Sequence, residues 1–225
     1  MQPNQEGIFV KNNVLWSKLK PVTDPRSQYA GFRPGNYILK RGTVIKEGYM
    51  PLPCDILCER DQTIVLRDGI KLYCDVYRPP YQTLPVPAIM NWGPGGKQGR
   101  HDVDIPGMPE EKRDFPKSAV SNLQVNLCND PAPWVDNGYA VVSVDPRGVY
   151  MSEGDMHYFG DVDALDGCDA IAWIASRDWC NGNVGMAGNA YIAIEQWFIA
   201  SKHPPALKAI APWEGHADFY REEFV

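Results

Sequence analysis

Apolar and polar positions along the chain fall into two regimes. Up to about Asp61 they show little periodicity, and stretches such as "PVTDPRSQYAGFRPGNYILKRGTVIKEGYMPLP" are dense in Gly, Pro, Asn and Tyr. This predicts an irregular N-terminal extension over residues 1–61, with room for one short strand. From Thr63 the pattern sharpens. "TIVLRDGIKLYCDVYRP" sets two β-rich runs around Asp68-Gly69, a hairpin turn signal. "VPAIMNW" follows as a short continuous apolar run of the buried-strand kind, ending in the glycine-rich "GPGGKQG".

Residues Arg100 to Pro133 mix charges, prolines and the polar run "SNLQVNLCND", which predicts a long excursion carrying a short helix. "WVDNGYAVVSVDPRG" then predicts a helix end at Asn137-Gly138, a buried strand over 139–144 and a loop from Asp145. In "DVDALDGCDAIAWIASRD", Ala164, Cys168, Ile171 and Ile174 recur at three- and four-residue spacing. That is an amphipathic helix, with Asp163, Asp166 and Asp169 turned mostly to water or to the dipole-positive start. A strand over 183–187, an apolar helix over 191–201 halted by Pro204-Pro205, and a strand over 207–211 complete the series. Strands alternating with helices predict an α/β fold over 62–225, with a mainly parallel sheet and helices on both faces. No internal repeat is visible.

Composition narrows the function classes. The 225 residues are 44% hydrophobic and 22% charged, an ordinary globular balance. A net charge of -6 with no basic block argues against a nucleic-acid partner and against an anionic membrane surface. "MQPNQEGIFV" lacks the basic and apolar regions of a secretory signal, and no run approaches ~18 apolar residues, so the expectation is a cytoplasmic protein. Six cysteines (Cys54, Cys58, Cys74, Cys128, Cys168, Cys180) are too sparse for a disulfide scaffold and form no CxxC or Cys/His cluster. They read as buried free thiols, and neither a metal nor a cofactor is expected.

Reactive groups of open α/β sheets collect at the carboxyl ends of the strands. Three loops qualify: Trp92 to Lys97, Asp145 to Gly154, and Gly188 to Ala193. The third has the pattern of a nucleophile elbow, a strand and a sharp turn into a helix, with Gly188 and Ala193 as the small residues that permit it. A strand–Gly–turn–helix joint is common in α/β proteins, so this loop alone does not decide the matter.

Four stretches taken together are more specific. "DGIKLYCDVYRP", "DNGYAVVSVDPRGVYMSEGD", "DALDGCDAIAWIASRDWCNGNVGMAGNAY" and "LKAIAPWEGHADFYRE" resemble the cocaine-esterase-like (CocE/NonD) α/β hydrolases, relatives of the X-prolyl dipeptidyl peptidases, and fungal-type members above all. The resemblance runs from about Thr63 to Val225 and implies the N-terminal portion of an α/β-hydrolase domain. In the family the elbow reads G-x-S-Y-x-G or G-N-S-W-L-A; this chain has Gly188-Asn189-Ala190-Tyr191-Ile192-Ala193, so Ala190 fills the nucleophile slot. The resemblance makes the Tyr191 N–H one oxyanion donor. The second, a tyrosine in a W-S-P-Y-G-K-like pattern, is replaced here by Gly95 in Trp92-Gly93-Pro94-Gly95-Gly96-Lys97. The family's triad acid and base fall beyond Val225, and His216 follows Ala190 too soon to serve as the base.

An alanine has no lone pair to attack a carbonyl. Removing a triad serine costs on the order of 10⁶ in turnover, roughly 8 kcal/mol, and losing an oxyanion donor costs a further ~10²–10³. Ser143, Ser176 and Cys180 are poorly placed as substitutes. Asp145 and Arg147 of "DPRG" read as a structural loop pair beside the elbow, and the Asp163/Asp166/Asp169 series as a solvated face rather than a metal site. Trp92, His157, Tyr158 and Trp213 are candidates to line a pocket for a small ester, amide or lactone-like ligand, although Trp92 and Trp213 equally suit the core. The last strand is expected to leave an apolar sheet edge unpaired.

Three readings follow: a truncated hydrolase relative without catalysis, a non-catalytic small-molecule binding or scaffold protein, and an active or repurposed hydrolase of a metabolic pathway.

Overall fold

In the computed structural model, residues 8–11, 14–17, 21–27, 29–97, 116–125, 127–216 and 218–223 are described. A two-stranded antiparallel ribbon, β1 (Ile8–Lys11) and β2 (Val14–Ser17), stands apart from the main sheet. The main sheet has seven strands in the order β3-β4-β5-β7-β6-β8-β9. These are β3 (Gly35–Leu39), β4 (Ile56–Val65), β5 (Lys71–Arg78), β6 (Val86–Trp92), β7 (Ala140–Asp145), β8 (Cys180–Asn189) and β9 (Leu207–Trp213). Four helices punctuate them: α1 (Pro131–Asp136), α2 (Asp161–Ala175), α3 (Tyr191–Ala200) and α4 (Phe219–Glu223).

The parallel block is β7-β6-β8-β9, with α1 leading into β7, α2 into β8 and α3 into β9. An antiparallel wing, β3-β4-β5, joins it through β5 against β7. The hairpin at Asp68-Gly69 forms as its sequence requires, with Gly69 at a φ of 87°. The first half of β4 and all of β3 come from before Asp61, so the N-terminal region supplies two strands to the main sheet as well as the ribbon. Weak periodicity hides them because β3 is a half-exposed edge strand. Half of the excursion from Arg100 lies outside the described residues; its described end leads into α1, closed at Asn137 with Gly138 at a φ of 82°.

Alternation along the strands divides the core into two layers. Ala88, Met90 and Trp92 of β6 and Ala140, Val142 and Val144 of β7 point toward α2 and α3, where they meet Ala164, Ile171, Ile174 and Ile199. Ile89 and Val141 point the other way, onto Ala132 and Val135 of α1 with Leu52 and Ile56. Helices therefore cover both faces, and continuous apolar runs such as "VPAIMNW" are buried on both sides. Cys58, Cys74 and Cys180 are buried, Cys54, Cys128 and Cys168 half-buried, and none of the six is joined in a disulfide.

The expected solvent exposure of the α2 acids is corrected. Asp163 and Asp166 are buried, 5% and 4% exposed. Asp163 accepts from the indole Nε1 of Trp92 at 3.2 Å, and Asp166 takes a two-pronged bond from Arg147 at 2.7 and 2.9 Å. Asp169, nearer the surface, grips Arg67 through its guanidinium and its backbone N–H. Partners on β6, on the β7–α2 loop and before the hairpin make burial tolerable, and helical spacing carries no trace of them.

Candidate functional site

The carboxyl ends of β6, β7 and β8 lie side by side, so the three loops singled out in the sequence meet at one rim of the sheet. At its centre β8 runs into α3 through Ala190, which has φ 50° and ψ −120°. A side chain at this apex of a strand–helix turn is held in a conformation that non-glycine residues rarely adopt. The turn is tight because Ile192 fills the space behind it: a Cβ on Gly93 would stand 2.7 Å from Ile192 Cγ1, and one on Gly188 would collide with Ile192 Cγ2. Two carbonyl bonds fix the joint, from Ala190 N–H to Trp213 O at 3.0 Å and from Ala193 N–H to Ala190 O at 2.9 Å.

Tyr191 opens α3, where first-turn amides have no partner within the helix. Gly95 sits half-buried in the turn after β6 and offers no hydroxyl. The pocket candidates separate. Trp92 is fully buried in the core, its indole committed to Asp163, and is not a wall residue. Tyr158 is 65% exposed with its ring 6.2 Å from that of Tyr191, and Trp213, 66% exposed, ends β9 beside Ala190. His157 lies in the same exposed loop as Tyr158. Ser143 is buried in β7 and donates nothing to the rim, accepting instead from Asn91 Nδ2 at 3.1 Å; Ser176 caps α2; Cys180 begins β8 at the far end of the strand. His216 is engaged with Glu222 at 3.0 Å.

Asp145 and Arg147 do not pair with each other, which corrects the sequence reading. Arg147 reaches across to Asp166 and to Asp68 at 2.6 Å. Asp145 turns inward, accepting from the Lys97 N–H at 2.6 Å. Lys97 is the hub of a cluster the sequence did not disclose. Its buried ammonium contacts Asp61, lies 3.0 Å from Asp75 and stands 4.0 Å from Asp145. A β-bulge between Glu59 and Gln62, with Asp61 at a φ of 52°, turns Asp61 inward to meet it. Three carboxyls thus surround one ammonium. Burial first, then the Asp75 and Asp61 charges, push the Asp145 carboxyl up to about 7 against the pull of Lys97. Burial works against the Lys97 charge, yet the surrounding aspartates hold its pKa above the ordinary lysine value.

A second buried acidic pair lies under the elbow helix. Glu195, one turn beyond Tyr191 and 0% exposed, faces the Asp163 carboxyl and the Tyr191 hydroxyl and accepts from the Phe159 N–H at 3.2 Å. Burial raises the pKa of both acids; the Asp163 carboxyl adds to the rise at Glu195, whereas bonds with Glu195 and Trp92 pull Asp163 back, and burial raises that of Tyr191. The signal in sequence was a lone glutamate inside the apolar run "YIAIEQWFIA".

A strand, a strained apex and a helix at the carboxyl end of a parallel block, flanked by helices on both faces, define the α/β-hydrolase scaffold. Within that class the chain belongs to the X-Pro dipeptidyl-peptidase (S15) family, whose sequence profile matches residues 68–225. It is 36% identical over 158 residues to the cocaine esterase of Rhodococcus sp. (strain MB1 Bresler), covering 70% of this chain and 24% of that protein. A CocE/NonD family hydrolase from Staphylococcus aureus superposes with a TM-score of 0.68 at 32% identity, over 84% of this chain and 32% of its own. An α-amino acid ester hydrolase superposes at 0.53 and 26% identity, over 73% of this chain and 26% of its own. The chain therefore spans between 24% and 32% of the length of these relatives. Among the described residues no helix is long and apolar enough to cross a membrane.

Proposed function

We propose that this chain does not carry out serine-dependent acyl transfer at its elbow, and that the strand-end surface beside Ala190 binds a small apolar ester, amide or lactone-like molecule without cleaving it. The observation that carries the reading is Ala190 itself: the strained apex is kept at φ 50° and ψ −120° while the atom that would attack a carbonyl is gone. Gly95 in the loop opposite adds to it, since a glycine there supplies no side-chain donor to a developing oxyanion. The exposed aromatic rings of Tyr158 and Trp213 on either side suit an apolar acyl group.

The test pairs two measurements on the unaltered chain. Hydrolysis of aryl esters should not exceed the buffer rate, and a fluorophosphonate probe should leave no adduct on the elbow peptide. Turnover by the unaltered chain overturns the reading in favour of a repurposed hydrolase. Thermal-shift screening with aliphatic and aromatic esters and lactones should raise the melting temperature, because a ligand at 100 times its Kd stabilises by roughly 2.7 kcal/mol. Failure of all of them to do so removes the binding half.

A further inference from the structure

Tyr191, Glu195 and Phe198 lie on one face of α3, at helical spacings of four and three residues. Phe159 lies across that face. Its ring stacks on Tyr191 at 4.4 Å and on Phe198 at 5.9 Å, so it bridges the position between them, which is Glu195. The same residue's N–H is bonded to Glu195 Oε1. Beneath the ring, Glu195 meets Asp163, which is held from below by Trp92. Glu195 Oε2 is buried, and among the described residues none is bonded to it as a donor. An ionised carboxylate left in that state is costly, whereas a protonated one needs no donor there and can itself donate toward Asp163.

We propose that Asp163 and Glu195 share a single proton at neutral pH and that Phe159 is a proton-gated cover, seated while the proton is held and lifted when it is lost. Two adjacent buried anions repel. The groups facing the pair are the Tyr191 hydroxyl on α3, the His157 imidazole in the loop before α2, and Asp166 on α2, whose charge Arg147 already holds. Relief comes from moving Glu195 toward water, and the outward path runs through Phe159. Lifting it uncovers the Tyr191 ring and widens the surface beside Ala190. The device does not depend on what, if anything, binds there.

The pair can be read directly by infrared difference spectroscopy of the unaltered chain from pH 6 to 11. Asp145, raised to about 7, ionises across pH 6 to 8, so a protonated-carboxyl C=O band that persists above pH 8 reports Asp163–Glu195. That band should bleach with a midpoint of about 9. Over the same range, amide exchange of residues 155–160, corrected for its intrinsic pH dependence, should lose protection by at least tenfold. In Glu195→Gln, a neutral isostere that still accepts from Phe159, the band should be absent and protection constant across the range. No band above pH 8 in the unaltered chain, or the same loss of protection in Glu195→Gln, overturns the proposal. If Glu195→Gln does not fold, Asp163→Asn replaces it: the amide can donate to Glu195, so the remaining titration should fall toward the ordinary carboxylate range, and an unmoved midpoint rejects the shared proton.

Discussion

The backbone N–H of Ala190 donates to the carbonyl of Trp213 at 3.0 Å, tying the apex of the elbow to the last residue of the neighbouring strand. This anchor, with Ile192 wedged between Gly93 and Gly188, holds Ala190 at a positive φ. Strain of this kind costs about 1–3 kcal/mol in a non-glycine residue. Ala190→Gly should therefore stabilise the chain by up to about 1 kcal/mol once the greater freedom of glycine in the unfolded state is set against the relief. The urea midpoint checks this; a shift to lower urea would show that the apex is unstrained.

The wedge makes its own prediction. Gly93→Ala places a Cβ against Ile192 and should destabilise by about 1–3 kcal/mol. In an Ile192→Ala background the same change should cost much less, and the coupling energy from a double-mutant cycle measures the contact. Additive effects would place the cost elsewhere.

Lys97→Met keeps the length of the side chain but removes the ammonium from among Asp61, Asp75 and Asp145. Breaking a buried ionic cluster from one side costs about 3–5 kcal/mol, and denaturant unfolding at pH 7 should show a loss of that size. The deficit should shrink at pH 5, where the orphaned carboxyls take up protons more readily.

Asp145 gives the chain a pH dependence of definite sign. Its carboxyl, ordinarily near 3.8, is raised to about 7 in the folded state. Below about pH 4 both folded and unfolded chains hold the proton, and its contribution to stability is fully present. As pH rises toward 7 the unfolded chain ionises first, so stability falls by up to about 1.4 kcal/mol per pH unit and then levels off. Melting temperatures measured from pH 5 to 8 should decline in the unaltered chain. Asp145→Asn, which still accepts from the Lys97 amide, should flatten the decline.

Most elements were legible because they rest on local patterns. The hairpin at Asp68-Gly69, the buried runs of β6 and β7, the spacing of α2 and the elbow into α3 each depend on residues a few positions apart. Misreadings occurred where a charged side chain found its partner far along the chain. Asp163 looked solvated because Trp92, its donor, stands 71 residues away. Asp145 seemed to pair with Arg147 because they are neighbours, whereas Lys97 reaches it across 48 residues. Before Asp61 the sequence showed room for one short strand, fewer than form there, because a half-exposed edge strand such as β3 needs little apolar content.

By itself the sequence determined the order of strands and helices from the hairpin to β9, the elbow and the absence of a hydroxyl at residue 190, since periodicity, turn residues and the identity of residue 190 are local properties. Only the tertiary structure decided which charges are buried and which protons they hold, because the free energy of an ionisable group is set by burial and by partners that folding brings from distant segments. Lys97 among three aspartates and Glu195 against Asp163 belong to that second category.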